Sequence, residues 1–295
     1  MKQWFINWKP SRKSQYLLDR IEEIIIDYQS KGYRLTLRQL YYQMVSRDYV
    51  PNSLKSYNTI GNLINNARLA GIIDWSVIED RVRTAEVNSH WNNPNQILSA
   101  AVNSYYKDHW KNQENYIEVW CEKDAVSNII QPVCSKYDVL FMANRGYSSQ
   151  SAMYEAYQRL QKAINNEKYA VIIYFGDHDP SGIDMTRDIE DRMGLFLYGE
   201  GKFKQVDRQA LNKDQIKRYN PPRNPAKITD TRFNKYSLIY GESSWELDAL
   251  DPGILSDIVE NAILKYMNKS VFDEVEKEIS EHKNLIRKAI TYLNQ

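Results

Sequence analysis

The stretch AVIIYF-GDHDPSG, residues 170–182, decides how this chain folds. Its apolar run, Ala170–Phe175, is dense in β-branched and aromatic residues. Such a run reads as a strand buried on both faces, the kind found inside a parallel sheet. Two runs of the same character are Tyr116–Cys121 and Val139–Met142, with helical stretches near Ala125–Ile130 and Ser151–Ala163 between them. Strands alternating with helices imply βαβ units and an α/β sheet. C-terminal helices are expected from about Pro252 to Met267 and from Val271 to Leu293. Between them and the sheet, residues from about 201 to 235 are basic and carry Pro221, Pro222 and Pro225, which predicts a long excursion.

Two of the strands stop in acid. One ends at Glu122-Lys123-Asp124, the other at Asp177-His178-Asp179. Ligands gather beyond the carboxyl ends of parallel strands. Asp177 and Asp179 leave the same face while the backbone stays extended. Three carboxylates converging there repel one another unless a cation is present, and hard oxygen donors suit Mg²⁺. Glu122, Asp177 and Asp179 are therefore the candidate metal ligands. His178 reads as a solvated spacer. Asp-x-Asp-Pro-x-Gly is also good turn chemistry by itself, so the spacing alone leaves both readings open. No P-loop and no dinucleotide fingerprint occur.

Upstream lies a helical region. Leu17, Leu18, Ile21, Ile24 and Ile25 recur at helical spacing, and Gly32 stops that helix. Thr36 caps a second helix over roughly Leu37–Arg47, and a third covers about Ser56–Ala70. Residues 72–82, IIDWSVIEDRV, suit a short hairpin. Three helices and a hairpin make the winged variant of the helix-turn-helix layout. On the second helix Leu37, Leu40, Tyr41 and Met44 form the core stripe, which leaves Tyr42 on the flank one turn beyond Arg38. A tyrosine hydroxyl becomes a nucleophile only with help from a cation or base, and Arg38 supplies a cation. Simple stacking of Tyr42 on Arg38 is the plainer reading of the same spacing. The third helix offers Asn62, Asn65, Asn66 and Arg68 on its polar side, residue types that suit phosphate and base-edge contacts. A polar connector with one helix follows, from about Glu86 to Asn115. The expected domains are residues 1–90 and 91–295.

In 295 residues there are 39 basic and 38 acidic side chains, a net charge of +1 that by itself argues against a nucleic-acid partner. The charge is unevenly spread, however. Residues 1–73 carry +6, 116–190 carry −4, 201–235 carry +7 and 242–281 carry −8. Two basic segments flank the proposed acidic site, and phosphate attraction follows local fields. Two cysteines exclude a disulfide framework and a four-thiolate zinc site. The opening ten residues hold no apolar signal stretch, so a cytoplasmic protein is expected.

Taken together, these residues resemble a known family. Arg38-Gln39-Leu40-Tyr41-Tyr42 is similar to the Arg-x-x-Tyr-Tyr signature of the topoisomerase VI A subunit and its meiotic double-strand-break relatives. Glu122-Lys123-Asp124-Ala125-Val126 resembles the family's metal-binding glutamate segment, and Asp177–Gly182 its Asp-x-Asp-Pro-x-Gly. Asn144-Arg145-Gly146-Tyr147 and Trp245-Glu246-Leu247-Asp248-Ala249-Leu250 resemble two further family segments, in the family's order. The resemblance implies a winged-helix domain followed by a Toprim α/β domain with a parallel sheet and C-terminal helices. It also implies a DNA-cleaving subunit of a type IIB topoisomerase without its own ATPase. Tyr42 would attack a backbone phosphorus and leave a 5′-phosphotyrosyl link, with Arg38 at the same phosphate and Mg²⁺ on Glu122, Asp177 and Asp179. Implied partners are double-stranded DNA, a second copy sharing active sites between protomers, and a separate ATPase subunit. The short region before the tyrosine helix is similar to compact relatives of bacterial, phage or mobile-element origin, and nucleoid association follows. A water-using Toprim nuclease and a catalytically degenerate DNA-binding regulator are the alternatives.

Overall fold

Capping chemistry starts each helix of the N-terminal region. Ser11 caps α1 (Arg12–Ser30), whose buried stripe holds Leu17, Leu18, Ile21, Ile24, Ile25 and Tyr28. Thr36 caps α2 (Leu37–Ser46) in a reciprocal pair with Gln39: each side chain accepts from the other's backbone N–H, at 3.2 and 2.8 Å. Ser53 caps α3 (Leu54–Leu69). The computed structural model describes residues 2, 4–79 and 90–293. Within them, the start of the expected hairpin is a 3₁₀ turn, Trp75–Val77. After it, β2 (Ile78–Glu79) pairs in parallel with β1 (Leu35–Thr36). The remainder of the hairpin, Asp80–Val82, lies outside the described residues. In the connector, Asn93 caps α4 (Pro94–Ser104).

The main sheet is four-stranded and wholly parallel. Its order is β4 (Leu140–Ala143), β3 (Asn115–Cys121), β5 (Tyr169–Phe175), β6 (Phe203–Ala210). Alternation along β5 explains why it reads as one apolar run. Val171, Ile173 and Phe175 face α5 (Ser127–Lys136) and α10 (Pro252–Leu264). Ala170, Ile172 and Tyr174 face α6 (Gln150–Asn165) and α7 (Pro180–Phe196). With both faces covered, the chain is an α/β protein with eleven α-helices among the described residues. No helix there is long and apolar enough to cross a membrane.

The expected excursion at 201–235 needs correcting: its first part is β6, the edge strand of the sheet. Only Phe203, Val206 and Ala210 supply apolar side chains, so this strand lacks the continuous apolar run that marks β5. The rest holds α8 (Lys213–Tyr219), β7 (Arg223–Pro225) and α9 (Phe233–Tyr240). β7 pairs antiparallel with β8 (Ser243–Trp245). α11 (Lys269–Leu293) ends the described chain.

After β8 a short strap, Glu246–Leu250, joins the two halves. Its 3₁₀ turn, Leu247–Ala249, crosses α2, so Ala249 belongs to the helical core while Leu247 and Leu250 belong to the sheet core. Beyond it, the Tyr28 hydroxyl donates to Asp251 at 2.8 Å.

Candidate functional site

β3 and β5 pair with Cys121 opposite Phe175, so they stop at the same level. The next residues therefore meet. Glu122 N–H donates to the Phe175 carbonyl at 2.8 Å, and the Glu122 carboxylate accepts from Asp177 N–H at 2.9 Å. Close approach is possible because two neighbours lack side chains. A Cβ at Gly182 would stand 2.3 Å from the Asp177 carbonyl oxygen and 3.0 Å from Glu122 Oε2. The turn at Arg145-Gly146, both at positive φ, covers the end of β3, and Gly146 N–H donates to the Glu122 carbonyl at 3.1 Å.

Of the three expected ligands, Glu122 and Asp177 are buried and adjoining. Asp179 caps α7, accepting from Gly182 N–H at 2.6 Å and from the Ser181 hydroxyl. Among the described residues, the group whose carboxylate oxygens converge within 4.8 Å of one another is Asp177 with Glu246 and Asp248 of the strap. Those last two carry the same i, i+2 acidic spacing as Asp177 and Asp179 and lie in the Trp245–Leu250 segment that the resemblance marked without giving them a role.

Cations thread this cluster. Lys123 Nζ lies 2.8 Å from Asp177 and 3.2 Å from Asp248, and it also contacts Glu246. Burial works against the Lys123 ammonium, yet Asp248, Asp177 and Glu246 outweigh it and hold its pKa well above the ordinary lysine value. Burial likewise raises Glu246, but Lys123 and Arg38 reverse this and bring it down to about 2. Burial drives Asp177 well above the carboxylate range despite Lys123, and it raises Glu122 as well. Arg208 of β6 donates to the carbonyls of Gly176, Asp177 and Gly182, bracing the loop from below. With every group ionised, five carboxylates (Glu122, Asp177, Asp179, Glu246, Asp248) face three cations (Lys123, Arg38, Arg208), a formal charge of −2. Oxygen donors with that deficit fit one hard divalent ion.

The tyrosine helix docks on the same cluster. Arg38 Nε donates to Asp248 at 2.6 Å, and its Nη2 donates to Glu246 at 2.7 Å and to the Tyr42 hydroxyl at 3.3 Å. The expected i, i+4 pairing of Arg38 with Tyr42 is present, with the guanidinium 5.3 Å from the ring centre. The expected exposure of Tyr42 is not. Tyr42 is 4% exposed, because the strap covers the flank that helical periodicity assigned to solvent. Burial raises its hydroxyl to about 12, further helped by Glu246 and opposed by Arg38. Tyr41 bonds Asn52 and Ser53 and packs in the core.

His178 is a second correction. It is buried rather than solvated, because its backbone bridges Trp245 and its ring sits among Tyr236, Tyr240 and Trp245. Burial lowers its pKa to about 4, so the ring is neutral near pH 7.

On α3, Asn62 and Asn65 are exposed. Asn62 and Asn66 line a groove of about 430 Å³ together with Ser11 and Lys13 of the first helix and its cap. Arg68 turns inward instead. Its guanidinium donates to the carbonyls of Trp75 and Ile78 and lies over the Trp75 ring, closing the loop after α3.

No family model and no curated protein matches this chain.

Proposed function

We propose that this protein cleaves DNA by tyrosine transesterification, in the manner of a type IIB topoisomerase A subunit. Residues 1–90 are read as a winged-helix domain and 91–295 as a Toprim domain. The observation that carries the reading is one continuous set of contacts, Tyr42–Arg38–Glu246–Lys123–Asp177, which runs from the candidate nucleophile to the acidic strand end.

In this reaction the Tyr42 oxygen bonds to a backbone phosphorus as the bond from phosphorus to the 3′ oxygen breaks. The phenolic proton leaves the tyrosine, and the departing oxygen takes up a proton as a 3′-hydroxyl. One phosphodiester replaces another, so the step needs no nucleotide energy and reverses when the 3′-hydroxyl attacks the tyrosyl phosphate. At a hydroxyl raised to about 12, Tyr42 starts as a phenol near neutral pH. Arg38 then has two tasks: it stabilises the developing phenolate and binds a phosphate oxygen. Glu122, Asp177 and Asp179 would hold Mg²⁺, which supplies neutralisation of charge on the phosphate. A homodimer would place one site on each strand and give a staggered double-strand break. A nucleoid setting in a bacterial, phage or mobile-element context accompanies this reading, and a separate ATPase subunit is a further candidate partner.

Incubation with supercoiled DNA and Mg²⁺ should yield protein covalently joined to 5′ ends, and Tyr42→Phe should abolish it. An adduct that persists in Tyr42→Phe excludes this nucleophile. Cleavage that survives Tyr42→Phe but not Asp177→Asn identifies a water-using nuclease. Binding without cleavage identifies a regulator.

A further inference from the structure

Asp177, Glu246 and Asp248 bring their oxygens within 4.8 Å of one another, the spacing that suits an ion, and the space between them already holds an ammonium. Lys123 reaches it because the strand continues extended past Glu122, with Lys123 at φ −112° and ψ 130°. Consecutive side chains then turn to opposite sides. Glu122 goes to the backbone of Asp177 on one side, and Lys123 crosses to the strap on the other. An ammonium has three donors and no acceptor, and here it meets three carboxylates. Its side chain is 17% exposed, and Asp177 and Asp248 are less exposed still.

We infer that Lys123 is a resident cation occupying the Asp177–Glu246–Asp248 centre, which therefore takes no divalent ion of its own. The inference deepens the reading above and rests on it only for the divalent ion itself. A centre whose oxygen spacing suits a second metal is filled by a charge the chain carries permanently. The same ammonium ties the strap to the end of β3, so the helix bearing Tyr42 stays docked without any ion bound. It follows that the site is assembled before metal arrives, and that removing the ammonium opens a new divalent centre.

Counting bound Mn²⁺ by electron paramagnetic resonance of the free ion tests this directly on the whole chain. The wild-type protein should bind one Mn²⁺ and Lys123→Ala two, whereas Lys123→Arg should still bind one. Lys123→Gln keeps amide donors for two of the carboxylates and serves if the alanine variant does not fold. Glu246→Gln should leave the wild-type ion in place, while Glu122→Gln should weaken it by roughly tenfold or more. Two ions on the wild type, no ion gained in a folded Lys123→Ala or Lys123→Gln protein, or loss of the wild-type ion in Glu246→Gln would each overturn the inference. No ion on the wild type but one on Lys123→Ala would uphold the role of Lys123 while sinking the metal-dependent reaction. The two failures are therefore distinguishable.

Discussion

Arg38 and Glu246 stand 208 positions apart in the chain and meet at 2.7 Å, so the helix that carries Tyr42 is tied by charge to the strap. Arg38 makes a fork here, with Nε on Asp248 and Nη2 on Glu246. A lysine keeps the charge but cannot form the fork. Arg38→Ala is expected to reduce covalent adduct formation by about 10²-fold, the usual size for losing one charge-stabilising donor. Arg38→Lys should recover part of that. Initial rates of adduct formation measure both, and an unaffected Arg38→Ala would remove the residue from the reaction.

Mixing two inactive proteins asks which chain supplies which half of a site. If active sites are shared between protomers, Tyr42→Phe mixed with Asp177→Asn should regain adduct, because one hybrid site then has an intact tyrosine and intact carboxylates. A mixture that stays inactive would assign each tyrosine to the carboxylates of its own chain. The Arg38–Glu246 link would then be the working arrangement.

Beneath the site, Glu118 in the middle of β3 is fully buried. It accepts from Arg159 Nε at 2.7 Å, Arg159 Nη2 at 2.9 Å, the Trp120 indole at 2.8 Å and the Tyr116 hydroxyl at 2.9 Å. Arg159→Met strands that carboxylate without a counter-charge and should cost about 3–5 kcal/mol in urea unfolding. A loss below about 1 kcal/mol would mean that the two remaining donors suffice.

Acid should expose a different link. The Arg187 hydrogen bond, reinforced by Tyr147 and Arg232, holds Asp184 down to about 2. An unfolded aspartate titrates near 3.9, so this stabilisation is complete above about pH 4 and disappears as pH falls toward 2. Between those values wild type should lose more melting temperature than Asp184→Asn, by the equivalent of about 1 kcal/mol after solvent screening. Parallel melting curves through that window would refute the assignment.

What could be read from the sequence, and what could not, divides along physical lines. β5 was legible because burial on both faces leaves an unbroken apolar run. α2 was legible because Thr36 is a good cap and Leu37, Leu40, Tyr41 and Met44 recur at helical spacing. β6 was missed because only three of its eight residues are apolar, so it resembles a polar loop. Periodicity placed Tyr42 correctly beside Arg38, but no local pattern announces that residues 246–250 will cover it. His178 was misread for the same reason, since its aromatic surroundings come from α9 and β8. Lys123 was in plain view, yet its role depends on two acids more than a hundred positions downstream.

The level ending of β3 and β5 has a consequence for how this site tolerates change. In a sheet the side-chain period is two, so a slip of one residue in either strand turns every later side chain to the opposite face. Glu122 would then leave the Asp177 amide, and Lys123 would swing into the place of Glu122. Register is thus a chemical variable in this protein. An insertion or deletion of a single residue within β3 or β5 should be more damaging to the site than most substitutions of the residues that line it.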